Sequence, residues 1–449
     1  MLAKIKGLRV AARTSSFQFK GKNEDIGEIG RRLNVAHVLE GSVRKSGNRA
    51  RISVQLVKVA DGYQLWSETY DRTLDDIFAV QDDIAQAVVN RLESTLLGAQ
   101  LQASLVVTSL AIASLATAST AATLGRTQNS EAHRLRLQGR SLFQRGTHPE
   151  RRAAIPLFER AVALDPDYAG AWADLSFALY WRSASGGSVA EQSGEHDYLP
   201  EFLAAAQAAD RALDLEPNLP EALHARSAIV CILDWNQTEA IRLLRLAVKL
   251  APNDAQILHG AAIVIGNSGF IDEALALAHR AIKIDPISLS NYATAASLEA
   301  AAGDDAAAEA NYRIACEMSA HDAFFPRFGL FILLLHQQRY DECRMLIQAW
   351  SLPMHRTLPT AMLEWAQGDR AQSDANLNEI KRLAAALACY QIAQIHAFRG
   401  EADATFEWLD KCIAVRDPGV FNAKTDRLFR FLHVDARWMP LMRKLGFDD

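Results

Sequence analysis

The spacing of hydrophobic positions changes along the chain from every second residue to every third or fourth. Near the N-terminus, Ile52, Val54 and Leu56 alternate with the polar residues Ser53 and Gln55. A period of two predicts a β-strand with one buried face and one wet face. The beginning of the chain is therefore expected to contain a sheet.

The stretches around this strand predict an antiparallel meander. Residues 38–43 favour a strand that turns back at Lys45–Asn48, where glycine and asparagine make a positive φ inexpensive. A second turn at Asp61–Gly62 precedes a strand over residues 64–70. The alternation changes phase at Val57, which indicates a β-bulge or a strand covered on both faces.

A further strand and two helices are predicted beside the meander. Residues 8–12 favour a strand, and Ile26, Ile29 and Leu33 recur at helical spacing after Asn23 and Asp25, either of which can cap a helix. After Thr73 a second helical stripe comprises Ile77, Val80, Ile84, Val88 and Leu92.

From about residue 131 the strand signals stop and small residues recur at offsets of four and three. In the clearest copy, Ala274, Ala278 and Ala281 are preceded by Gly269 and followed by Pro286. The same offsets recur at Ala154–Phe158–Ala161, Ala205–Ala209–Ala212, Ala240–Leu244–Ala247, Ala308–Tyr312–Ala315, Cys343–Ile347–Trp350, Ser373–Leu377–Ile380 and Thr405–Leu409–Cys412. These eight copies predict eight units of one repeated structure.

The offsets have a direct structural meaning. Residues four and three apart lie on one face of a helix, and small side chains there let two antiparallel helices approach closely. Glycine permits the bend between the helices, and proline ends the second helix. A helix pair repeated about every 34 residues resembles the tetratricopeptide repeat, over roughly residues 131–416. The resemblance implies an α-solenoid whose concave face binds proteins or peptides.

The N-terminal unit resembles a second family. Residues 13–17, 38–44 and 62–72 are similar to the TolB N-terminal-like domain, which occurs with tetratricopeptide repeats in bacterial proteins. The upstream part of such proteins is often a class III adenylate or guanylate cyclase or a winged-helix domain, followed by a membrane span. The resemblance also implies that this unit is shortened at its start.

The expected fold class is a small α+β N-terminal domain followed by an all-α superhelical solenoid of tetratricopeptide repeats. The expected boundaries are 1–97 for the TolB-like domain, 98–130 for a linker rich in Ala, Ser and Thr, 131–416 for the array, and 417–449 for C-terminal capping helices. We expect two helices in that last part.

The linker raises the question of a membrane. Residues 103–124 carry no charge, but eight of the 22 are Ser or Thr and only seven are Leu, Ile or Val. That composition favours a linker over a span. With no signal peptide, the expected location is the cytoplasm; the alternative is a periplasmic or membrane-tethered protein that uses 103–124.

Composition and motifs argue against chemistry on this chain. The net charge of −5 argues against nucleic acid as the main partner. The five cysteines are widely spaced and without a CxxC pair, so no disulfide framework, metal site or cofactor is expected. No phosphate loop or HExxH motif occurs. We therefore expect no catalytic residue and a non-enzymatic protein.

The candidate partner-binding residues are groove-facing positions on first helices. Aromatic rings beside polar groups are common in peptide-recognition sites. The second unit is also predicted to carry an insertion of about seventeen residues. An equal alternative is that these rings simply pack beneath that insertion. The candidates are Phe177, Tyr180, Trp181, His224, Gln256, His259 and Asn267. The expected function is a scaffold that binds a protein or peptide; the alternative is a regulatory module associated with a nucleotide cyclase or a membrane-tethered signalling protein. The oligomeric state stays open.

Overall fold

The computed structural model gives the chain as a small sheet domain followed by an array of paired helices. The residues that it describes are 10–11, 15–16, 19, 22, 24–47, 49–73, 87–88, 125, 127–145, 148–184, 199–319, 324–385 and 388–447.

The N-terminal unit contains the predicted helix and meander. Helix α1 (Ile26–Leu33) begins at Asp25, whose carboxylate accepts a hydrogen bond from the Glu28 N–H at 3.2 Å. Three antiparallel strands follow in the order β1 (His37–Ser46), β2 (Arg49–Lys58) and β3 (Gln64–Thr73). The register between β2 and β3 shifts at Leu56/Val57, so the predicted irregularity is confirmed.

One face of this sheet is buried, as the alternation predicted. Val54 and Leu56 pack with Trp66 and Tyr70 of β3 and with Val88. The predicted strand at 8–12 and most of the helical stripe after Thr73 lie outside the described residues, as do residues 98–124; residues 87–88 are helical.

Eight helix pairs follow in the described part of the chain. Their helices are α2 (Ser130–Arg145) with α3 (His148–Leu164), α4 (Ala169–Ala184) with α5 (Leu199–Leu215), α6 (Pro220–Ile229) with α7 (Gln237–Leu250), α8 (Ala255–Asn267) with α9 (Ile271–Ile284), α10 (Leu289–Ala302) with α11 (Asp305–Met318), α12 (Phe324–His336) with α13 (Tyr340–Gln348), α14 (Pro353–Ala366) with α15 (Arg370–Ala384), and α16 (Cys389–Phe398) with α17 (Ala402–Val415). A single π-helical turn, Val230–Asp234, extends α6. The predicted insertion, between α4 and α5, lies outside the described residues.

The repeat positions lie where the offsets predicted. The small and large residues of the eight motifs are buried, with the exception of half-buried Ile347. Turn glycines between paired helices take positive φ, for example +100° at Gly269 and +92° at Gly303, a region that favours glycine. Pro286 stands two residues beyond the end of α9. The repeat register is thus the register of the fold.

The curvature of the array places the first helices on the inside. Consecutive first helices pack against each other along the array, whereas consecutive second helices among the described residues make sparser contacts. The inner surface is therefore formed by α2, α4, α6, α8 and their successors.

The C-terminal segment, residues 417–447, differs from the two helices that we expected. It consists of two 3₁₀ segments, Pro418–Asn422 and Arg427–Val434, and a short helix α18 (Trp438–Lys444). Phe429, Leu432 and Trp438 are buried, and the Phe429 ring lies 5.6 Å from that of Tyr390 in α16, so the segment packs on the last pair.

The C-terminal segment also reaches the middle of the array. The Arg427 and Arg430 guanidinium groups donate hydrogen bonds to the Ala300 and Ala301 carbonyls at 2.9 and 2.8 Å. Both carbonyls lie in the last turn of α10, where the negative end of the helix dipole favours cationic donors; the Ala300 carbonyl also accepts from the Gly303 N–H at 3.2 Å. Gln237 donates to the Leu445 carbonyl at 3.1 Å. The segment therefore links the eighth pair to the third and fifth pairs.

Candidate functional site

The inner surface of the first two pairs carries a cluster of aromatic rings. Phe143 of α2 lies 5.8 Å from Phe177 and 6.0 Å from Trp181 of α4, measured between ring centroids and in edge-to-face geometry. We call these three residues the aromatic patch. Each ring is half-buried, so each has both packing neighbours and solvent. Rings held this way offer a partner a large, pre-ordered apolar surface.

Arg151, in the first turn of α3, covers one side of the aromatic patch. Its Cζ atom lies 4.3 Å from the ring centroid of Trp181 and 5.4 Å from that of Phe143. Burial lowers the pKa of Arg151, and its buried Nε has no hydrogen-bond partner. The guanidinium has thus lost part of its hydration, and no anionic group among the described residues balances its positive charge.

Two uncharged imidazoles lie next to the patch. The ring of His224 in α6 is buried and its centroid is 4.9 Å from that of Phe177. Burial lowers the pKa of His224 and of His259 in α8 to about 4, and the positive charge of Arg151 acts on His259 in the same direction. His259 Nε2 is 3.1 Å from Thr294 Oγ1. Both rings are neutral at pH 7, so they do not supply the missing negative charge and they do not add a positive one.

The other predicted residues do not all join this site. Tyr180 stacks on Phe177, with ring centroids 6.2 Å apart, and its other neighbour is buried Phe202 at 6.1 Å, so it supports the patch from below; burial raises its pKa. Gln256 is exposed and lines a void of about 20 Å³ beside Phe177, room for about one water. Asn267 donates to the Asn422 Oδ1 at 3.0 Å and so contacts the C-terminal segment instead. Asn267 is therefore separate from the patch.

Two other arginines near the patch each lie beside a carboxylate. Arg136 donates to the Asp174 carboxylate at 2.6 Å; burial opposes its charge, but Asp174 and Tyr168 outweigh burial and its pKa is raised. Arg140 is 4.0 Å from the same carboxylate. Arg151 differs from both because no carboxylate lies beside it among the described residues.

A larger cleft lies outside the inner surface. It measures about 430 Å³ and is lined by residues of α5, α6 and α7. Its charged side chains have partners: Arg226 is 2.8 Å from Asp210 and Arg242 is 2.6 Å from Glu239. Both arginines thus already have carboxylate partners, although the buried Nη1 of Arg226 makes no hydrogen bond among the described residues, and we place the candidate site at the aromatic patch.

The structure brings two of the widely spaced cysteines together. Because α16 and α17 are antiparallel, the Cys389 and Cys412 sulfurs and an Asp417 oxygen lie within 4.8 Å of one another. Cysteine thiolates bind soft metals, and a carboxylate can complete such a site. Burial raises the pKa of Cys412 well above its usual value and that of Asp417 to about 6, which favours the protonated, metal-free forms. We interpret the cluster as core packing.

Sequence reasoning missed Phe143 and Arg151. Phe143 follows the spacing of a first-helix groove position and was available to the same argument as Phe177. Arg151 belongs to a second helix, and its approach to Trp181 depends on how α3 and α4 cross, which no spacing rule expresses.

Among the described helices, none combines the length and hydropathy required of a membrane span.

The chain resembles one cyclase-related sequence in part. It is 34% identical over 199 residues to the Rhizobium meliloti (strain 1021) protein named "Putative adenylate cyclase 3". The match covers 43% of this chain and 31% of that protein, so this chain spans about a third of its relative's length. No protein-family model matches the sequence.

Solved structures of similar shape share little sequence with the chain. Human IFIT1 bound to m7Gppp-AAAA is 12% identical with a TM-score of 0.48, covering 63% of this chain and 72% of that one. A thermophilic tetratricopeptide-repeat protein of Thermus thermophilus is 19% identical with a TM-score of 0.35 (45% and 99% covered). PilF of Pseudomonas aeruginosa is 15% identical with a TM-score of 0.35 (47% and 93% covered). The solenoid is therefore established by the packing of this chain's own helix pairs and by its repeat register.

Proposed function

We propose that the chain is a non-enzymatic scaffold that binds a protein or peptide segment on the inner surface of its first helix pairs. The aromatic patch is the observation that supports this proposal most. Phe143, Phe177 and Trp181 are half-exposed on a rigid helical surface, and aromatic side chains in such positions commonly carry binding energy.

The C-terminal segment supports the same location. It contacts the C-terminal ends of the first helices of the fourth and fifth pairs through Asn422 and Arg427, and Arg416, which directly precedes it, donates to the Leu233 carbonyl of the third pair. That part of the inner surface is occupied by the chain itself. The aromatic patch lies in the first two pairs, away from the described contacts of the C-terminal segment, so we assign partner binding to it.

The experiment is a selection followed by two matched variants. A phage-displayed library of random dodecapeptides is selected on the full chain, and the enriched peptides are synthesised with a fluorescent label. We expect Trp181→Ala to weaken their binding at least tenfold, which corresponds to about 1.4 kcal/mol or more. Far-UV circular dichroism and thermal unfolding confirm that the variant folds.

Trp172→Ala is the control on the same helix. Its indole donates to the Pro166 carbonyl at 2.9 Å, and nine residues along a helix place it on the opposite side of α4 from Trp181. Peptide binding by this variant should match that of the unmodified chain. Failure to select any peptide, or equal losses from both variants, would refute binding at the patch.

A second candidate function is regulation of a nucleotide cyclase. It is favoured by the 34% identity to the Rhizobium meliloti protein and by the resemblance of the N-terminal unit to the TolB N-terminal-like domain, which would provide a second contact surface. On this candidate the chain binds a cyclase and makes no cyclic nucleotide itself.

Two assays test the second candidate. Purified chain with ATP and Mg²⁺ or Mn²⁺ should form no cyclic AMP; formation of cyclic AMP would contradict the non-enzymatic assignment. Adding the chain to the purified Rhizobium meliloti relative should change that protein's rate of cyclic AMP formation at least twofold. An unchanged rate, together with no association in sedimentation, would exclude this regulation.

A further inference from the structure

Arg151 has an unusual environment for a charged residue. Its guanidinium lies over the Trp181 and Phe143 rings, and its buried Nε atom makes no hydrogen bond. Arg151 as a whole is half-buried, so its charge is only partly removed from water. A charge in that position without a counter-charge is still unfavourable, and a hydrogen-bonded anion offsets much of that penalty. The rings contribute only a weaker cation–π attraction.

The neighbours of Arg151 do not remove this deficit. Asp174 already accepts the 2.6 Å hydrogen bond from Arg136, and His224 and His259 are held neutral by burial. The guanidinium presents several N–H groups in one plane, which matches the two oxygens of a carboxylate. The apolar rings beside it suit an aromatic or aliphatic side chain.

We propose that the aromatic patch and Arg151 together recognise an acidic peptide motif, in which an Asp or Glu side chain lies next to a large apolar side chain. The carboxylate pairs with Arg151 while the apolar side chain packs against Phe143, Phe177 and Trp181. This inference rests on the proposed function and specifies the partner's chemistry at the same site.

The motif predicts a composition and a coupling. Dodecapeptides selected on the full chain should be enriched in Asp or Glu adjacent to an aromatic or aliphatic residue, and selection on Arg151→Gln should lose the acidic enrichment. For a selected peptide, replacing its Glu by Gln or its Asp by Asn should weaken binding to the unmodified chain about tenfold, within the range of charge-assisted hydrogen bonds. The same replacement should change binding to Arg151→Gln less than twofold.

This double-mutant cycle isolates the pair from general effects. Arg211→Gln is the control for loss of a positive charge, because Arg211 is half-exposed and pairs with Asp167 at 2.8 Å on the outside of the array. Binding by Arg211→Gln should keep the full tenfold dependence on the peptide carboxylate. Circular dichroism of both variants checks that they fold.

Other results would overturn the inference in separate ways. One outcome is that selected peptides bind tightly without being enriched in Asp or Glu, or that the coupling between the peptide carboxylate and Arg151 is less than twofold. Either result would contradict the acidic motif and leave the scaffold function in place. Displacement of a selected peptide by 10 mM inorganic phosphate, with no response to its carboxylate, would reassign Arg151 to a phosphate ligand. A third outcome is that binding to the unmodified chain does not depend on the peptide carboxylate, but becomes dependent on it once Glu191, Glu195 and Asp197 are changed to amides. That result would show that the chain's own carboxylates pair with Arg151. No selected peptide at all would refute both proposals.

Discussion

Ala278→Glu tests the packing rule that organises the array. Ala278 is 1% exposed on α9, at the contact with α8, where the repeat register requires a small side chain. A glutamate there must either bury its charge or fold in the protonated form. Protonation at pH 7 of a carboxyl whose usual pKa is near 4.3 costs about 3.7 kcal/mol, and the added volume costs about 1–3 kcal/mol more. The expected loss in the free energy of unfolding is about 5 kcal/mol or more.

Ala276→Glu is the matched control, because Ala276 is exposed on the same helix. Urea unfolding followed by far-UV circular dichroism compares the two variants. Lowering the pH from 7 to 5 should recover about 2.7 kcal/mol of the deficit in Ala278→Glu, since protonation then costs less. Ala278→Gln should show no such recovery. If the free energies of unfolding of Ala278→Glu and Ala276→Glu differ by less than about 0.5 kcal/mol, the close helix contact at Ala278 is refuted.

Three further changes test other parts of the structure. The folded pKa of His224 is about 4, below its usual 6.5, because burial favours the neutral ring. The folded state is therefore not penalised by this group above about pH 6.5 and loses stability as the pH falls toward 4. In urea titrations, His224→Gln should remove up to about 3 kcal/mol of this loss in the free energy of unfolding. Gln338 holds φ +59° at a turn where other pairs use glycine, so Gln338→Gly should raise the free energy of unfolding by about 0.5–1 kcal/mol. Asp426 accepts from the Tyr390 hydroxyl at 2.9 Å and the Gln394 amide at 2.7 Å, so Asp426→Ala should cost about 2–4 kcal/mol and loosen the C-terminal segment in hydrogen exchange.

Each of these has a control and a contrary outcome. An unchanged acid profile in His224→Gln would mean that the buried ring does not set it. Gly303→Ala, at φ +92°, should destabilise; if it does not, the φ argument for Gln338 fails. Asp403→Ala removes a highly exposed carboxylate paired with Arg437, and it should leave stability and exchange unchanged. Equal effects of Asp403→Ala and Asp426→Ala would contradict the anchoring role of Asp426.

The repeat was predictable because its signal is local. Ala274, Ala278 and Ala281 report the contact between two helices that are adjacent in the chain, and each copy repeats the same rule. The N-terminal sheet was predictable for a similar reason, since turns such as Asp61–Gly62 join neighbouring strands. Local side-chain patterns therefore predicted the order of the three described strands and of the eight helix pairs, but not the form of the C-terminal segment.

The contacts of the C-terminal segment were not predictable in this way. Gln237 and Leu445 are 208 positions apart and meet only because small rotations at each pair add up to a closed curve. Asn267 was expected at the binding surface for its groove-facing position, yet that curvature brings Asn422 against it. Which groove positions stay open thus depends on the summed geometry of the array.

Hydrogen–deuterium exchange of the full chain with and without a selected peptide tests the division of the inner surface most directly. The account predicts new protection in residues 139–145 and 173–181, around the aromatic patch, and unchanged exchange in residues 230–235 and 418–434. Protection or exposure centred on 230–235 and 418–434 would contradict it, because the partner would then be displacing the C-terminal segment instead of binding beside Arg151.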